Sequence, residues 1–348
     1  MNILITGVGG PTPIGIAKAL RNTGIQYRLI GVDGSKLAPG LYNRTLFDNT
    51  YKIPNANDKG YWEAIEEIIK KEQINYAFPI PETEVLKWAE KQEKDGLPCS
   101  ALIPENRIAK KLFDKFATYN FLKSTNLVPK SIQINTESSA KEIGTELQYP
   151  YWIRGGSGAG AVGSFKVNHE EDLKKWLAIN PSIEDFIASE YLPGRNYACK
   201  VLFKSGQLVK AATGERIDYL LSSAAPSGIS GMCAHGKLTN HPELIELSQK
   251  AINIIFDHFE TKPHGFYTVD FREDAQGNPK ITEINIRNVS FTLAFALGGA
   301  NFAKLMLDFC FNPEKLNDGK VHLKFDQEYH FIRGVDSELF IIPENELL

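Results

Sequence analysis

The chain has 348 residues, too many for one compact core, and predicts two or three domains. Its 43% hydrophobic and 23% charged residues are ordinary for a globular protein. With 39 Lys and Arg against 42 Asp and Glu, the net charge of −3 argues against nucleic acid or an anionic membrane as partner, while leaving room for a local basic pocket. No apolar run reaches the ~20 residues needed to span a bilayer. The opening "MNILITGVGG" reads as a buried strand entering a glycine turn rather than a signal peptide. Cys99, Cys199, Cys233 and Cys310 are scattered, with no zinc or disulfide spacing, so a cytoplasmic protein with reduced thiols is expected.

The first hundred residues alternate strand and helix. "NILIT", "YRLIGVD" and "INYAFPI" are short apolar strands. "IGIAKALRNT", "YWEAIEEIIKKE" and "ETEVLKWAEKQEK" carry helical spacing, with Ile65, Ile68 and Ile69 on one side of the second. This βαβαβ order predicts a parallel, doubly wound sheet with ligands at the carboxyl ends of its strands. "LIPENRIAKKLFDKFATYNFLKSTNLVPKS" reads as a strand end, a helix, and a turn before Pro129. "PYWIRGGSGAGAVGSFKV" is strand, glycine loop, strand, and "EEDLKKWLA" is a helix. "FIASEYLPG", "NYACKVLF" and "QLVKAAT" are strands, and "PELIELSQKAINIIFDHF" is a long amphipathic helix. "GFYTVDF" and "KITEINIR" are strands joined by a turn, then come the helical "AKLMLDFCF" and a short strand-rich tail.

Three constellations, on four stretches, carry chemistry. "GVGGPTPIG" fits a dinucleotide fingerprint loosely through Gly7, Gly9 and Asp33, but its prolines and spacing fit a plain tight βα turn equally well. The glycine loop at 155–164 joins two strands, and its amides can close over phosphates, with Arg154 at the entrance. In "TEINIRN", Thr282, Ile284 and Ile286 share one face of a strand, and Glu283, Asn285 and Arg287 the other. In "FYTVDFR", Thr268, Asp270 and Arg272 oppose an apolar face of Tyr267, Val269 and Phe271. Pairing these strands brings Asp270 near Glu283 and Asn285. Two carboxylates so close repel unless a cation lies between them, and magnesium suits oxygen ligands shared with phosphates. The alternative is a solvated strand face with a salt bridge.

These parts, in this order, resemble the ATP-grasp enzymes, in the branch related to the carbamoyl-phosphate synthase large chain and biotin carboxylase. The resemblance runs from the N-terminus to about residue 310 through "DKFATYNFLKSTNLVPKS", "YWIRGGSGAGAVGSF", "ASEYLPG", "GFYTVDF" and "ITEINIRN". It implies an α/β ATP-grasp fold. Residues 1–105 would form an N-terminal Rossmann-like domain binding no dinucleotide, 106–188 a small lid subdomain, and 189–348 a larger α+β subdomain with a short tail, ATP lying between the last two. It implies Lys115, Arg154, Gly156, Ser157, Gly158, Glu190, Tyr191, Leu192 and Asn196 as ATP-binding residues, and Asp270, Glu283 and Asn285 as ligands of Mg2+, or of Mn2+. It implies that Arg287 steadies an acyl phosphate, with Arg154 as the other catalytic cation. Arg154 stands where a lysine is usual, and Asn196 where an acid is usual. Lys200 shares a strand face with Asn196, as a site residue or a solvated one. Arg216, in "ERIDYLLSSAAPSGISGMCAHGK", is expected to border the acceptor pocket and pair with a substrate carboxylate.

The activity implied is a ligase that activates a small carboxylate with ATP and transfers it to an amine, with a homodimer as one assembly open to the chain. The alternatives are a carbamoyl- or carboxy-phosphate-forming enzyme acting on bicarbonate, and a nucleotide-binding regulatory protein without catalysis. A nicotinamide dehydrogenase is the remaining rival.

Overall fold

The structure is a computed structural model and describes residues 1–134, 140–156 and 162–334. In chain order it begins β1 (Asn2–Thr6), α1 (Pro11–Arg21), β2 (Arg28–Asp33), β3 (Asn49–Lys52), α2 (Tyr61–Glu72), β4 (Tyr76–Phe78) and α3 (Glu82–Lys94). The four strands form a parallel sheet in the order β3-β2-β1-β4. β1 and β2 are buried along almost their whole length, as strands covered on both faces must be. The short edge strand β3 was not foreseen; "NTYK" has no apolar run, and only pairing with β2 makes it a strand. Gly7 ends β1 at φ +68°, and a Cβ there would sit 2.5 Å from Pro81, so this turn admits glycine alone.

Next come α4 (Asn106–Phe113) and α5 (Lys115–Leu122), where one helix was expected. Asp114 divides them: it leaves helical geometry, and its carboxylate accepts hydrogen bonds from the amides of Phe116 and Ala117, capping α5. A second sheet follows, from β5 (Ser131–Ile134), α6 (Ala140–Glu146), β6 (Tyr151–Gly155), β7 (Phe165–Val167), α7 (Glu170–Ile179) and β8 (Phe186–Glu190). It is antiparallel, ordered β5-β8-β6-β7, and encloses its own small core around Tyr151, Ile153 and Phe186. It runs to Glu190, past the border expected at 188.

The third sheet holds β9 (Asn196–Lys204), β10 (Gln207–Tyr219), β11 (Cys233–Thr239), β12 (Gly265–Glu273), β13 (Pro279–Asn285) and β14 (Tyr329–Ile332). It is antiparallel, in the order β13-β12-β9-β10-β11-β14. α8 (Pro242–His258) lies across β9 and β10, burying Leu244, Ile245, Ala251, Ile252, Ile255 and Phe256 at helical spacing. Each Leu, Ile or Phe among them contributes roughly 1.5–3 kcal/mol, and the alanine less. α9 (Thr292–Leu297) and α10 (Phe302–Phe311) cover the other face and meet α1, which ties this sheet to the N-terminal domain. β11 was expected as loop: "MCAHGK" lacks clean alternation, yet its residues pair with β10 on one side and β14 on the other. Among the described residues no helix is long and apolar enough to cross a membrane.

Candidate functional site

β12 and β13 pair in antiparallel register, with Asp270 opposite Glu283 and Thr268 opposite Asn285. Asp270, Glu283 and Asn285 all line a cavity of about 400 Å³ enclosed between the second and third sheets. One expectation needs correction. Thr282 does not share a face with Ile284 and Ile286. The register slips beside Asp270, so that Phe271 faces Ile281, and Thr282 is the extra residue of a β-bulge. Ile281, Ile284 and Ile286 enter the core, while Thr282 joins the cavity wall. The carbonyl of Thr282 accepts a 2.6 Å hydrogen bond from Nη2 of Arg154, which reaches across from β6.

The carboxylates sit among cations. Nη2 of Arg216 donates to Oδ1 of Asp270 at 2.7 Å, and Nζ of Lys115 lies 3.7 Å from Oε1 of Glu283. Nδ2 of Asn285 is 3.3 Å from Oδ2 of Asp270. Burial pushes the Asp270 carboxyl above its usual range; Arg216 pulls it back, and the nearby Glu283 adds to the rise. The rise is mainly the cost of burial, with the neighbouring acid a smaller contribution. Two carboxylates and an amide, all oxygen donors, therefore fit a hard divalent cation such as magnesium.

The other end of the cavity is lined by Glu190, Tyr191, Leu192 and Asn196, with Trp152 and Ser189. The amide of Gly194 donates to the carbonyl of Glu273, fixing this stretch against β12; a Cβ on Gly194 would lie 2.5 Å from Cβ of Glu273. The Glu190 carboxylate accepts from the amide of Lys130. Asn196 is less open than its expected role requires. Its Oδ1 accepts from Nη1 of Arg216 and its Nδ2 donates to the Tyr219 hydroxyl, so both ends of the amide are engaged. Gly156 is likewise committed: its N–H donates to Asp185 and its carbonyl accepts from the Lys115 amide. Ser157 and Gly158 lie outside the described residues.

Beyond these carboxylates, Arg287 meets Glu82. Its Nη2 donates to Oε1 of Glu82 at 2.8 Å, and its Nη1 to the carbonyl of Asn288. Glu82 opens α3, at the carboxyl end of β4, and lines the cavity together with Pro11 and Thr12 of α1. The loop "GVGGPTPIG" thus borders the site. Asp33 is spent within that loop, accepting from the amides of Gly9 and Ser35, and so is not placed for a ribose. Ile229, Ser230, Gly231 and Met232 close the side of the cavity formed by the β10–β11 connection.

Arg216 stands otherwise than expected. It is buried and gives its donors to Asp270, Asn196 and the carbonyl of Tyr197, while its guanidinium lies over the Phe291 ring. It is the partner of a site carboxylate and not an open receptor for a substrate's. Lys200 is neither solvated nor on the cavity wall. It is wholly buried within 5.3–5.9 Å of the rings of Phe266, Phe291 and Phe295, with Asn288 and Thr292 as hydrogen-bond acceptors. Burial, helped by Arg216 and Arg287, lowers its pKa to about 7, although Asp270 opposes the shift. Glu82 escaped the sequence reading altogether. Its position after a parallel strand was the available signal.

Residues 3–98 match the family described as PylC-like, N-terminal domain. No curated protein matches. Among solved structures, the N5-carboxyaminoimidazole synthetase of Staphylococcus aureus, complexed with ADP, superposes with a TM-score of 0.65 at 15% identity, over 88% of this chain and 76% of that one. The biotin carboxylase domain of the Hydrogenobacter thermophilus 2-oxoglutarate carboxylase, solved with MgADP and bicarbonate, gives 0.63 at 15% identity, over 88% and 68%. An L-amino acid ligase from Bacillus licheniformis gives 0.59 at 14%, over 88% and 70%. The chain has the ATP-grasp fold. The cavity lies between the sheet β5-β8-β6-β7 and the six-stranded sheet.

Proposed function

We propose that the protein is an ATP-dependent, ADP-forming ligase that joins a small carboxylic acid to an amine. One observation carries the reading: Lys115, Asp270, Glu283, Asn285 and Arg287 converge on the cavity that also holds the 190–192 stretch. Structural neighbours of the same fold were solved with ADP bound, one of them with magnesium, which supports a nucleotide in this cleft.

On this reading Glu190, Tyr191 and Leu192 hold the base, and the phosphates point toward β12 and β13. Asp270, Glu283 and Asn285 would hold magnesium, which would supply charge neutralisation for phosphoryl transfer. Lys115 sets an ammonium beside Glu283, where it can meet the same phosphates. A carboxylate oxygen of the substrate takes the γ-phosphoryl group as the bond to the β-phosphate oxygen breaks, leaving ADP. The amine then attacks the acyl carbon, phosphate departs, and the nitrogen gives up a proton. Arg287, on the far side of the carboxylates from the hinge, offers a planar fork to the transferred oxygens. The small sheet and the 229–232 segment exclude water, which would hydrolyse the acyl phosphate.

The test is ADP release from MgATP with panels of amino acids, dipeptides and small acids. Release that needs both an acid and an amine supports the ligase. Release on bicarbonate alone would transfer the reading to carboxy-phosphate formation, and nucleotide binding with no release would leave a regulatory protein.

A further inference from the structure

Four arginines line the cavity, and three have partners. Arg154 donates to the Thr282 carbonyl, Arg216 to Asp270, and Arg287 to Glu82. Arg272 has no hydrogen-bond or ion-pair partner among the described residues, and its Nε is buried without an acceptor. Folded proteins satisfy buried donors almost without exception, so an arginine left this way on a cavity wall implies an acceptor that arrives with a ligand.

Its position says which part of the ligand. Arg272 lies two residues after Asp270 on β12, on the same strand face, about 7 Å nearer the hinge. It stands directly opposite Asn196 across β9. The next residue, Glu273, holds the hinge through the Gly194 amide. Arg272 is therefore set between the stretch assigned to the base and the carboxylates assigned to the metal and phosphates. In a nucleoside phosphate the group between base and phosphates is the sugar. Asn196, beside it, is already held at both ends of its amide, by Tyr219 and by Arg216. A guanidinium presents only donors, and a sugar hydroxyl oxygen accepts through its lone pairs.

We propose that Arg272 is a nucleotide-binding residue whose guanidinium donates hydrogen bonds to the ribose hydroxyl oxygens. The proposal rests on the nucleotide reading of the cleft and adds a contact which that reading did not contain. The sugar is recognised as an acceptor, by a charged donor. This also makes Arg272 a discriminator against deoxyribose.

The test is a thermodynamic cycle by calorimetry in the presence of magnesium. Wild type, Arg272→Met and Arg272→Lys are titrated with ADP, 2′-deoxy-ADP and 3′-deoxy-ADP. Arg272→Met should weaken ADP about tenfold, as expected for losing a charged hydrogen bond. Removing the contacted hydroxyl should weaken wild type by a similar factor, and the Met variant should no longer distinguish that deoxy nucleotide from ADP. Arg272→Lys should recover part of the affinity. A Met variant that binds ADP as wild type does would overturn the proposal. So would one that binds more weakly yet discriminates fully, which would assign Arg272 to the base or the phosphates. Wild type that binds no ADP with magnesium would remove the nucleotide reading itself, and the proposal with it. A thermal melt keeps these outcomes readable: since Nε is unsatisfied already, Arg272→Met should melt no lower than wild type.

Discussion

Arg216 and Arg287 each meet a carboxylate at nearly the same distance, 2.7 Å to Asp270 and 2.8 Å to Glu82, and both pairs border the cavity. They differ in what surrounds them. Arg216 is held on all sides, by Asn196, by the Tyr197 carbonyl and by the ring of Phe291. Phe291 itself sits at φ +57°, a left-handed conformation costly for an aromatic residue, and is kept there among Phe295, Phe331 and Lys200. Arg287 instead reaches from the chain just after β13 to α3 beside the first sheet, has among the described residues only the Asn288 carbonyl besides Glu82, and leaves its Nε buried without an acceptor. The first pair is fixed by its own sheet and serves to hold Asp270 in place. The second is a contact between domains that a ligand with suitable charges can replace. Equal ion-pair distances do not imply equal roles.

Four comparisons, made with five substitutions, sharpen or break this contrast. Arg216→Met should have the largest effect on stability, about 3–5 kcal/mol in a denaturant melt, because it strands the buried Asp270; Arg287→Met should cost much less. Similar losses in the two variants would erase the distinction between pairs. Glu283→Gln belongs to neither pair and sets the scale for chemistry. Its fold should persist, since Ile281, Ile284 and Ile286 still bury, while ADP release should fall on the order of a hundredfold, about 2.7 kcal/mol of transition-state stabilisation. A folded variant with near wild-type turnover would sink the metal assignment.

Lys200 gives the third. Its folded pKa, about 7, lies below the 10.5 of a free lysine, so between these values the unfolded chain binds more protons. Wild-type stability must then rise with pH across that window, by at most about 1.4 kcal/mol per pH unit, and the full cost of burying the ammonium is felt below pH 7. Lys200→Met lacks this dependence. Its stability relative to wild type should be most favourable near pH 6 and decline steadily toward pH 10, read from melts at each pH. Parallel curves would mean that Lys200 titrates normally, and that the support behind Phe291 is not a strained charge. The smallest effect is expected for Glu82→Gln: about 1 kcal/mol in stability, since glutamine keeps a side-chain oxygen that accepts from Arg287, with a changed KM for one substrate and little change in kcat. A collapse of folding would make the interdomain pair structural after all.

Much of this site was legible in the sequence because it lies on two strands. Period-two alternation told which side chains of "FYTVDFR" and "TEINIRN" share a face, and the order of motifs told how the strands pair. What alternation cannot show is a slip in register, and the bulge at Thr282 was missed for that reason. Nor does it show which polar side chains already have partners: Asn196 and Arg216 read as open from sequence and are occupied, while Arg272 was placed on the polar face and given no role. Glu82 is 205 residues from Arg287, and no local pattern connects them. The helices α2 and α3 fell where their amphipathic spacing put them. The edge strands β3 and β14 depend on neighbours distant in sequence, and the break at Asp114 depends on a cap.

The bulge has a mechanical consequence. By adding one residue to β13 it turns the Thr282 carbonyl out to Arg154, and so fastens the small sheet to the large one across the mouth of the cleft. Any motion that widens the cleft must either break this bond or pull on β13 at Thr282. Glu283 is the next residue along the chain. Traction applied by the small sheet is thus delivered one peptide away from the carboxylate assigned to the metal, so the fastening that resists opening is also the lever by which opening would disturb cation binding.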